Sequence, residues 1–354
     1  MKKHWFTALF CALVLVCPQL SQAASREELA AIRVEQPGDF QYWSETSAAK
    51  AALVAYVESV TDPQSPDFIP MADRVAVFDM DGTIMCETAP SYFDEMMYLD
   101  RVFEDRSWTV PADMLAEAKE VRKYVAGQPA KAIPDEVAEA YQMNAFAGMT
   151  VAAYENYVKH FMETPEQGLT NLKRGEAFYL PMVEVVSYLT ARDFKVYIVS
   201  GCDRTALRVL TRGVLPIEPE RIIGSDAWTR ASHQGDTNGL DYVYSAQDEL
   251  VRGKYLIEDT GMNKVSLIAR EIGRQPVLAF GNSGGDASML NYTVNHNRYR
   301  SAAFVLLCDD TVRELGKPNK AASMQKRAAE NGWISVSMKD EFKTIYGDNV
   351  KRAE

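Results

Sequence analysis

Cysteine and histidine are scarce in this 354-residue chain, which has five of the former and four of the latter. No pair of these residues has the spacing of a zinc site, which argues against histidine- or cysteine-built metal centres. Cys11 and Cys17 lie within residues 1–23, which are expected to be removed as a signal peptide. Cys86, Cys202 and Cys308 would then remain. Because three is odd, at most one disulfide bond can form among them, and a disulfide-built framework is excluded.

Nucleotide-binding loops and basic runs are also missing. Neither a Gly-x-x-x-x-Gly-Lys-Ser/Thr loop nor a Gly-x-Gly-x-x-Gly loop occurs in the sequence. The formal net charge is −11, with 38 basic against 49 acidic residues, so the chain has no electrostatic footprint for nucleic acid. A composition of 47% hydrophobic and 25% charged residues is typical of a globular protein.

The N-terminus has the pattern of a secretory leader. Lys2 and Lys3 precede an apolar run from Phe6 to Val16, and Ser21-Gln22-Ala23 resembles a cleavage site. The run is shorter than the ~18–20 residues that a membrane-spanning helix needs. We therefore predict that residues 1–23 are a signal peptide, that no membrane span remains after its removal, and that the protein is periplasmic or secreted. The alternative is a buried N-terminal helix.

Short apolar runs, each ending in polar or glycine-rich residues, are spaced along the chain. Helical patterns separate the later runs, and this alternation predicts an α/β fold with a doubly wound (Rossmann-like) parallel sheet. Because such sheets bind ligands at the carboxyl ends of their strands, we expect the functional residues directly after each run. The runs are Val75–Phe78, Val196–Val199, Val277–Phe280 and Ala303–Leu307, and the helical patterns are Met182–Leu189, Asp203–Leu210 and Asn263–Ile272.

Two stretches are longer than connections between these strands require. The first two runs are ~115 residues apart, far more than one crossover needs, so residues 89–180 are predicted to be an inserted helical cap. Residues 225–249 are predicted to be a polar insertion. The remaining divisions are an N-terminal helical segment with the first core strand, residues 24–88, and the rest of the core, residues 181–354.

Two aspartates stand two positions apart directly after the first apolar run, in Asp79-Met80-Asp81-Gly82-Thr83. Alternation in an extended segment sends both carboxylates the same way, where they repel one another unless a cation compensates. Hard cations such as Mg²⁺ prefer oxygen sites of this kind. One carboxylate can then act as a nucleophile while the other transfers a proton. Gly82 permits a sharp turn, and Thr83 can hold the loop through its hydroxyl group. The alternative is a solvated turn.

Two later segments offer groups for an anionic ligand. Ser200 ends the second run and precedes Gly201, so its hydroxyl group can donate to an anionic oxygen or, alternatively, cap the next helix. Lys264, near the start of a predicted helix, can neutralise a phosphoryl group, and the alternative is an ordinary surface lysine. Lys254 is a weaker candidate for the same role.

The glycine-rich segment Gly281–Asp286 completes the set, because Asn282 and Asp286 offer oxygen atoms to a metal. The segment also matches the Gly-x-Ser-x-Gly elbow of serine hydrolases, with Ser283 as the nucleophile. That mechanism needs an acid and then a histidine later in the chain. After Ser283 the one histidine is His296, and the one acid before it is Asp286, which leaves no room for a triad.

In this order the four segments resemble the haloacid-dehalogenase-like (HAD) superfamily, and most of all its secreted, phosphoserine-phosphatase-like members. The resemblance covers roughly Asp73 to Leu307. It implies a Mg²⁺-dependent phosphomonoester hydrolase in which Asp79 attacks phosphorus and forms an aspartyl-phosphate. Asp81 would protonate the leaving group and then activate water. Dehalogenases of the superfamily lack the second aspartate, so its presence favours a phosphatase.

The resemblance also implies how the ligands are held. Ser200 and Lys264 would bind the phosphoryl oxygens. Many members have aspartate where Asn282 stands, so Asp286 would ligate the metal directly or through water. The implied metal-binding residues are Asp79, Asp81 through its backbone carbonyl, Asn282 and Asp286, and the expected substrate- and phosphate-binding residues are Gly82, Thr83, Gly201, Glu87 and Tyr92.

Substrate choice is expected to lie in the cap. Glu87 stands near the position where amino-acid-binding relatives carry a glutamate, although a solvated acid is the alternative, and Tyr92 and Glu95 follow closely. The methionine and aromatic residues of the cap are expected to form mostly its own core. If a few of them line the pocket, they would suit a cationic leaving group such as phosphocholine or phosphoethanolamine. The partner is predicted to be a small phosphorylated metabolite. The alternatives are a phosphotransferase of the same chemistry and a catalytically silent domain that binds a phosphorylated ligand or protein.

Overall fold

The computed structural model describes residues 23–353, so all but the last residue of the predicted signal peptide lies outside the described residues. In this part of the chain, seven strands and twelve α-helices are present. The strands are β1 (Val75–Phe78), β2 (Lys195–Asp203), β3 (Ile222–Ala231), β4 (Leu250–Ile257), β5 (Leu278–Gly281), β6 (Ala302–Leu307) and β7 (Ile334–Ser337). The helices are α1 (Arg26–Ala31), α2 (Ala48–Thr61), α3 (Phe93–Phe103), α4 (Ala112–Val125), α5 (Asp135–Asn144), α6 (Val151–Met162), α7 (Leu180–Ala191), α8 (Arg204–Thr211), α9 (Met262–Leu267), α10 (Ala287–Val294), α11 (Pro318–Asn331) and α12 (Met338–Glu341). None of these helices has both the length and the apolarity needed to cross a membrane.

The strands form one sheet in the order β4-β3-β2-β1-β5-β6-β7. Every neighbouring pair is parallel except β3 and β4, which are antiparallel. The chain runs outward from β1 to β4 and then returns to β5 on the other side of β1. The strand order therefore reverses between β1 and β5, and a reversal of this kind opens a crevice at the carboxyl ends of the two strands. The predicted doubly wound sheet is confirmed, with one antiparallel strand at its edge.

Helices cover both faces of the sheet, which explains why its central strands are apolar without alternation. In β1, Val75 and Val77 belong to one hydrophobic core together with residues of α9, α10 and α11. Ala76 and Phe78 belong to a second core together with residues of α2, α7 and α8. Because both faces of the sheet are buried at β1, the first polar residue after this strand marks the point where the chain leaves the core.

The four predicted strands all exist, and β1 has the predicted bounds. Strands β3, β4 and β7 were not predicted. Strand β3 extends into the predicted polar insertion of residues 225–249, as far as Ala231, where it pairs with Leu250 of β4. This outer half of β3 is largely exposed, so it lacks the apolar run that identified the buried strands.

Helices α3 to α6 occupy the long stretch between β1 and β2, and α5 with the loop that follows it is docked on β4. The Gly148 amide donates to the Arg252 carbonyl at 2.9 Å, and the Arg252 amide donates to the Met149 carbonyl at 2.8 Å. The Tyr255 amide donates to Oδ1 of Asn144, the last residue of α5, at 2.8 Å. The unpredicted strand β4 therefore joins α5 and the loop after it to the sheet.

We expect Phe280 to be a main stabilising residue of the centre of the sheet. Its ring is 1% exposed and is stacked between Phe78, at 4.2 Å between centroids, and Phe304, at 5.0 Å. Phe280→Ala should lower the free energy of unfolding by about 3–5 kcal/mol, measured by chemical denaturation. The control Tyr124→Ala removes a ring that is 70% exposed and should change it by less than about 0.5 kcal/mol. Equal effects of the two substitutions would contradict this account of the core.

Candidate active site

A cavity of about 390 Å³ lies at the carboxyl ends of β1, β2 and β5, where the strand order reverses. Helices α3 and α5 form part of its wall. Two of the predicted site residues, Gly82 and Thr83, do not line it. The predicted residues that line it are Asp79, Asp81, Glu87, Tyr92, Ser200, Gly201, Lys264, Asn282 and Asp286.

The Lys264 ammonium group lies at the base of the site and is 2% exposed. Its Nζ donates to Oδ1 of Asp79 at 2.7 Å, to Oδ1 of Asp286 at 2.7 Å and to the Val199 carbonyl at 2.8 Å. All three of its protons are thereby directed at oxygen atoms. Lys254, the other lysine considered, is exposed on β4. The structure therefore brings Lys264, and not Lys254, to the carboxylates.

The carboxylates of the site are perturbed by burial and by each other. Burial, together with the charge of Asp286, raises the pKa of Asp79 against the opposing effect of Lys264. Burial and the charges of Asp79 and Asp94 raise the pKa of Asp81 well above its usual range. Burial lowers the pKa of Lys264, but the carboxylates of Asp286 and Asp79 raise it by more, so the pKa lies above its usual value. The Lys264 ammonium group therefore remains charged, and its one positive charge is shared by the carboxylates around it.

Asp286 organises the loop after β5. Its Oδ2 accepts hydrogen bonds from the Asn282 amide at 3.0 Å, the Ser283 amide at 2.9 Å and the Ser283 hydroxyl group at 3.1 Å. Its other oxygen binds Lys264. Both oxygens of Asp286 thus have protein partners, whereas the Asn282 side chain is buried and its Nδ2 has no partner among the described residues.

The turn after Asp81 depends on Gly82. Its φ is +79°, and a Cβ atom there would lie 1.8 Å from Nδ2 of Asn282. The hydroxyl group of Thr83 is buried and has no hydrogen-bond partner in the described part of the chain, so the expectation that it holds the loop is wrong. Backbone bonds hold the loop instead, since the amides of Thr83 and Ile84 donate to the Met80 carbonyl at 3.1 and 2.9 Å.

Ser200 does not cap the helix that follows it. Asp203 does, because Oδ1 of Asp203 accepts the amides of Thr205 and Ala206 at 2.8 and 3.0 Å. The Ser200 hydroxyl group accepts the Cys202 amide at 3.2 Å, and the residue is 1% exposed. With its oxygen held in this way, the hydroxyl proton of Ser200 can be donated to a ligand in the cavity.

The residues of the cavity fit a hard divalent cation, although they do not form a closed cage. Within residues 23–353, no three carboxylate, imidazole or thiolate groups are arranged as a metal cluster. Mg²⁺, however, is usually held by one or two carboxylates, waters and substrate phosphate oxygens. Oδ1 of Asp81 is buried without a hydrogen-bond partner among those residues, beside the carboxylate of Asp79. An orphaned carboxylate oxygen of this kind is stabilised by a cation or a proton.

A serine-hydrolase triad is excluded by the geometry around Ser283. The Ser283 hydroxyl group is bonded to Asp286 and accepts the Gly285 amide at 3.2 Å. Of the histidines in the described residues, none lines the cavity, and His296 is exposed beyond the end of α10. Ser283 therefore positions the loop.

Glu87 and Tyr92 meet at the rim of the cavity. Glu87 is 2% exposed, forms an ion pair with Lys320 and accepts a hydrogen bond from the Tyr92 hydroxyl group at 3.2 Å. The alternative of a solvated acid is therefore wrong for Glu87. The hypothesis of an aromatic-lined cap is not supported, because Tyr92 is the one aromatic residue in the described lining. The other aromatic residues of α3 to α6 pack on each other, as Phe93 does on Phe161.

Several acidic residues of the cavity wall were not predicted. Asp94 of α3 accepts the Asp203 amide at 2.7 Å and so connects α3 to the end of β2. Glu139 and Gln142 stand one turn apart on α5, and Glu258 follows β4. Nothing local in the sequence marks these residues, because the docking of α5 on β4 brings them together. Cys86, Cys202 and Cys308 are buried and free.

No family model matches the chain, and no curated protein is significantly similar to it in sequence. A conserved protein of unknown function from Anaerococcus prevotii is similar in structure, with 13% identity and a TM-score of 0.51 over 84% of this chain and 92% of its own. Cytosolic 5'-nucleotidase IIIB bound to cytidine has 13% identity and a TM-score of 0.46, over 82% and 86% of the two chains. A probable phosphoserine phosphatase from Vibrio cholerae has 12% identity and a TM-score of 0.38, over 83% and 69%. Of these, the likeness to the Anaerococcus protein supports the fold.

Gly82→Ala should disturb the site more than backbone strain alone explains. Gly127 provides the control, because its φ is +66° and a Cβ there would meet nothing within 4 Å. Gly127→Ala should lower the free energy of unfolding by about 1–2 kcal/mol, which is the cost of a left-handed backbone. Gly82→Ala adds a collision with Asn282 and should cost clearly more in thermal unfolding. Equal losses of stability in the two variants would contradict the close contact between Gly82 and Asn282, because the Asn282 loop would then move aside without cost.

Proposed function

We propose that this protein is a Mg²⁺-dependent phosphomonoester hydrolase that acts through an aspartyl-phosphate on a small phosphorylated metabolite. The observation that carries the proposal is the buried Lys264 ammonium group between Asp79 and Asp286, directly beside Asp81 and Ser200 in one cavity. Phosphoryl transfer requires mainly positioning and neutralisation of charge, and this arrangement supplies both. The leader pattern of residues 1–23 supports the further proposal that the protein is exported.

In the first step, a carboxylate oxygen of Asp79 forms a bond to phosphorus while the ester bond between phosphorus and the leaving oxygen breaks. Asp81 gives its proton to that oxygen, so the alcohol leaves neutral. In the second step, Asp81 takes a proton from water, whose oxygen attacks phosphorus. The bond to Asp79 breaks, and inorganic phosphate and a free carboxylate result. General acid–base catalysis of this kind contributes typically ~10²–10⁴-fold.

Ser200 would donate its hydroxyl proton to a phosphoryl oxygen, and Gly201 leaves the backbone beside it accessible. Lys264, whose three protons are directed at Asp79, Asp286 and the Val199 carbonyl, would neutralise the phosphoryl group through its charge. The Mg²⁺ ion would be held by Asp79, the Asp81 carbonyl and Asn282, and when bound it would neutralise charge on the transferring phosphoryl group. Asp286 has both oxygens occupied by Lys264 and the loop amides. Its role is therefore to position Lys264 and Asn282, with any further contact to the metal made through water.

Asp79→Asn should abolish the activity. We expect the purified wild-type protein to hydrolyse p-nitrophenyl phosphate only with a divalent metal, and the variant to lose at least ~10³-fold in kcat, because an amide is a poor nucleophile. Asp236→Asn, in the exposed loop between β3 and β4, is the matched control and should leave the rate unchanged.

Three outcomes of that assay would contradict the proposal in different ways. Equal activity in the Asp79→Asn variant would exclude Asp79 as the nucleophile. Absence of hydrolysis over several metals would favour a catalytically silent phospho-ligand-binding domain. A phosphorylated product made from an added alcohol at the expense of inorganic phosphate would favour a phosphotransferase.

The two candidate ligands of the loop after β5 should respond differently to substitution. Asp286→Asn should abolish activity, because it removes one of the two charges that hold Lys264 and weakens the anchor of the loop. Asn282→Asp should remain active, since a carboxylate offers Mg²⁺ an oxygen as the amide does. The measurement is kcat and the metal concentration for half-maximal rate. An active Asp286→Asn enzyme would exclude the positioning role.

A further inference from the structure

Strand β2 contains a bulge at the point where it reaches the cavity. Ser200 pairs with Gly224 of β3, and the next pair along the two strands joins Asp203 to Ser225. Three steps along β2 therefore correspond to one step along β3, and the two residues between the pairs form the bulge. Both of these residues, like Ser200, line the cavity. Bulges beside active sites commonly redirect a side chain.

Ser225 binds the middle of this bulge from β3. The residue is fully buried, and its hydroxyl group donates to the Gly201 carbonyl at 2.5 Å. The same oxygen accepts the Asp259 amide at 3.0 Å, so the one hydroxyl proton is left for Gly201. Asp259 lies between Glu258 and Thr260, which line the cavity. Ser225 therefore joins two segments of the cavity wall without lining the cavity itself.

The bond to Gly201 sets the direction of the next amide. In a trans peptide unit the C=O and N–H bonds point to opposite sides, and the unit between Gly201 and Cys202 is trans. With its carbonyl held by Ser225, this unit directs the Cys202 amide away from β3. That amide donates to the Ser200 hydroxyl oxygen at 3.2 Å. Ser225 is thus connected to Ser200 through one rigid peptide unit.

The surroundings fix the bulge everywhere except at this unit. On the β3 side, a Cβ atom on Gly224 would lie 2.6 Å from the Cys202 carbonyl oxygen, so the two backbones are in close contact. At the far end, Asp203 forms a buried ion pair with Arg252 at 2.5 Å. The remaining freedom is rotation of the peptide unit after Gly201, which a residue without Cβ permits.

We infer that Ser225 is a positioning residue for the Ser200 hydroxyl group, an inference that rests on the proposed function. While Ser225 holds the peptide unit, the Ser200 oxygen accepts the Cys202 amide and its proton is available to a phosphoryl oxygen. Without the Ser225 hydroxyl group the unit can rotate, and the Ser200 oxygen loses this donor. The loss should appear in the binding of the phosphoryl group, because Ser225 has no contact with the nucleophile Asp79.

The test is a double-mutant cycle in which calorimetry measures the dissociation constant of inorganic phosphate for the whole protein with Mg²⁺. Ser225→Ala should raise this constant roughly three- to tenfold, the effect of losing one hydrogen bond. In a Ser200→Ala background the same substitution should change it by less than about twofold, because the group that Ser225 positions is gone. Equal effects in the two backgrounds, or no phosphate binding by the wild type, would overturn the inference.

Ser187→Ala is the matched control, because Ser187 is a buried serine of α7 whose hydroxyl group accepts the Val34 amide at 3.0 Å. It should leave the dissociation constant of phosphate unchanged, and a rise equal to that in Ser225→Ala would show a merely structural effect and overturn the inference. If Ser225→Ala does not fold, Ser225→Cys replaces it in the cycle with the same expected outcomes, since a thiol is a weak donor of similar size.

Hydrolysis of p-nitrophenyl phosphate by the wild type, measured in parallel, reports on the proposed function separately. Its absence would contradict that function. Intact hydrolysis together with additive effects of the Ser225 and Ser200 substitutions would overturn the role of Ser225 alone.

Discussion

One buried ammonium group holds the candidate site together. Lys264 binds Asp79 after β1, Asp286 after β5 and the Val199 carbonyl of β2, so it joins three strand ends at the point where the strand order reverses. A buried ion pair that loses one partner typically costs ~3–5 kcal/mol, because the remaining charge is left uncompensated. The position of each carboxylate is therefore fixed by the need to satisfy this cation, and the Asn282 loop and the Gly82 turn are packed around the result.

The rest of the cavity has an excess of negative charge, because eight carboxylates and one lysine line it among the described residues. Burial raises the pKa values of Asp79 and Asp81, and the same effect extends to Glu139 on α5. Such a site favours positively charged ligands, and a divalent metal fits the carboxylates at the strand ends. The docking of α5 on β4 brings Glu139 and Glu258 to the cavity.

The positions of the strand-end residues at the cavity could be predicted from the sequence, because buried parallel strands are continuous apolar runs and the residues after them are local to each run. Asp79, Ser200 and Asn282 were found in this way. Glu139 and Glu258 could not be, since long-range docking brings them to the cavity and neither has a local pattern. Strand β3 was missed for a related reason, as its exposed half is polar. Thr83 shows the opposite error, because its residue type suggested a hydrogen bond that the buried turn does not make.

The central claim is that the carboxylate of Asp79, held by Lys264, attacks phosphorus. Its most direct test is to quench the enzyme with acid during turnover and to reduce the quenched protein with borohydride. The modified residue is then located by peptide mass spectrometry. Borohydride converts an aspartyl-phosphate to homoserine. The account predicts homoserine at position 79 in samples that contained substrate and metal, and not in samples without substrate. Homoserine at another position, or turnover without any modified aspartate, would contradict it.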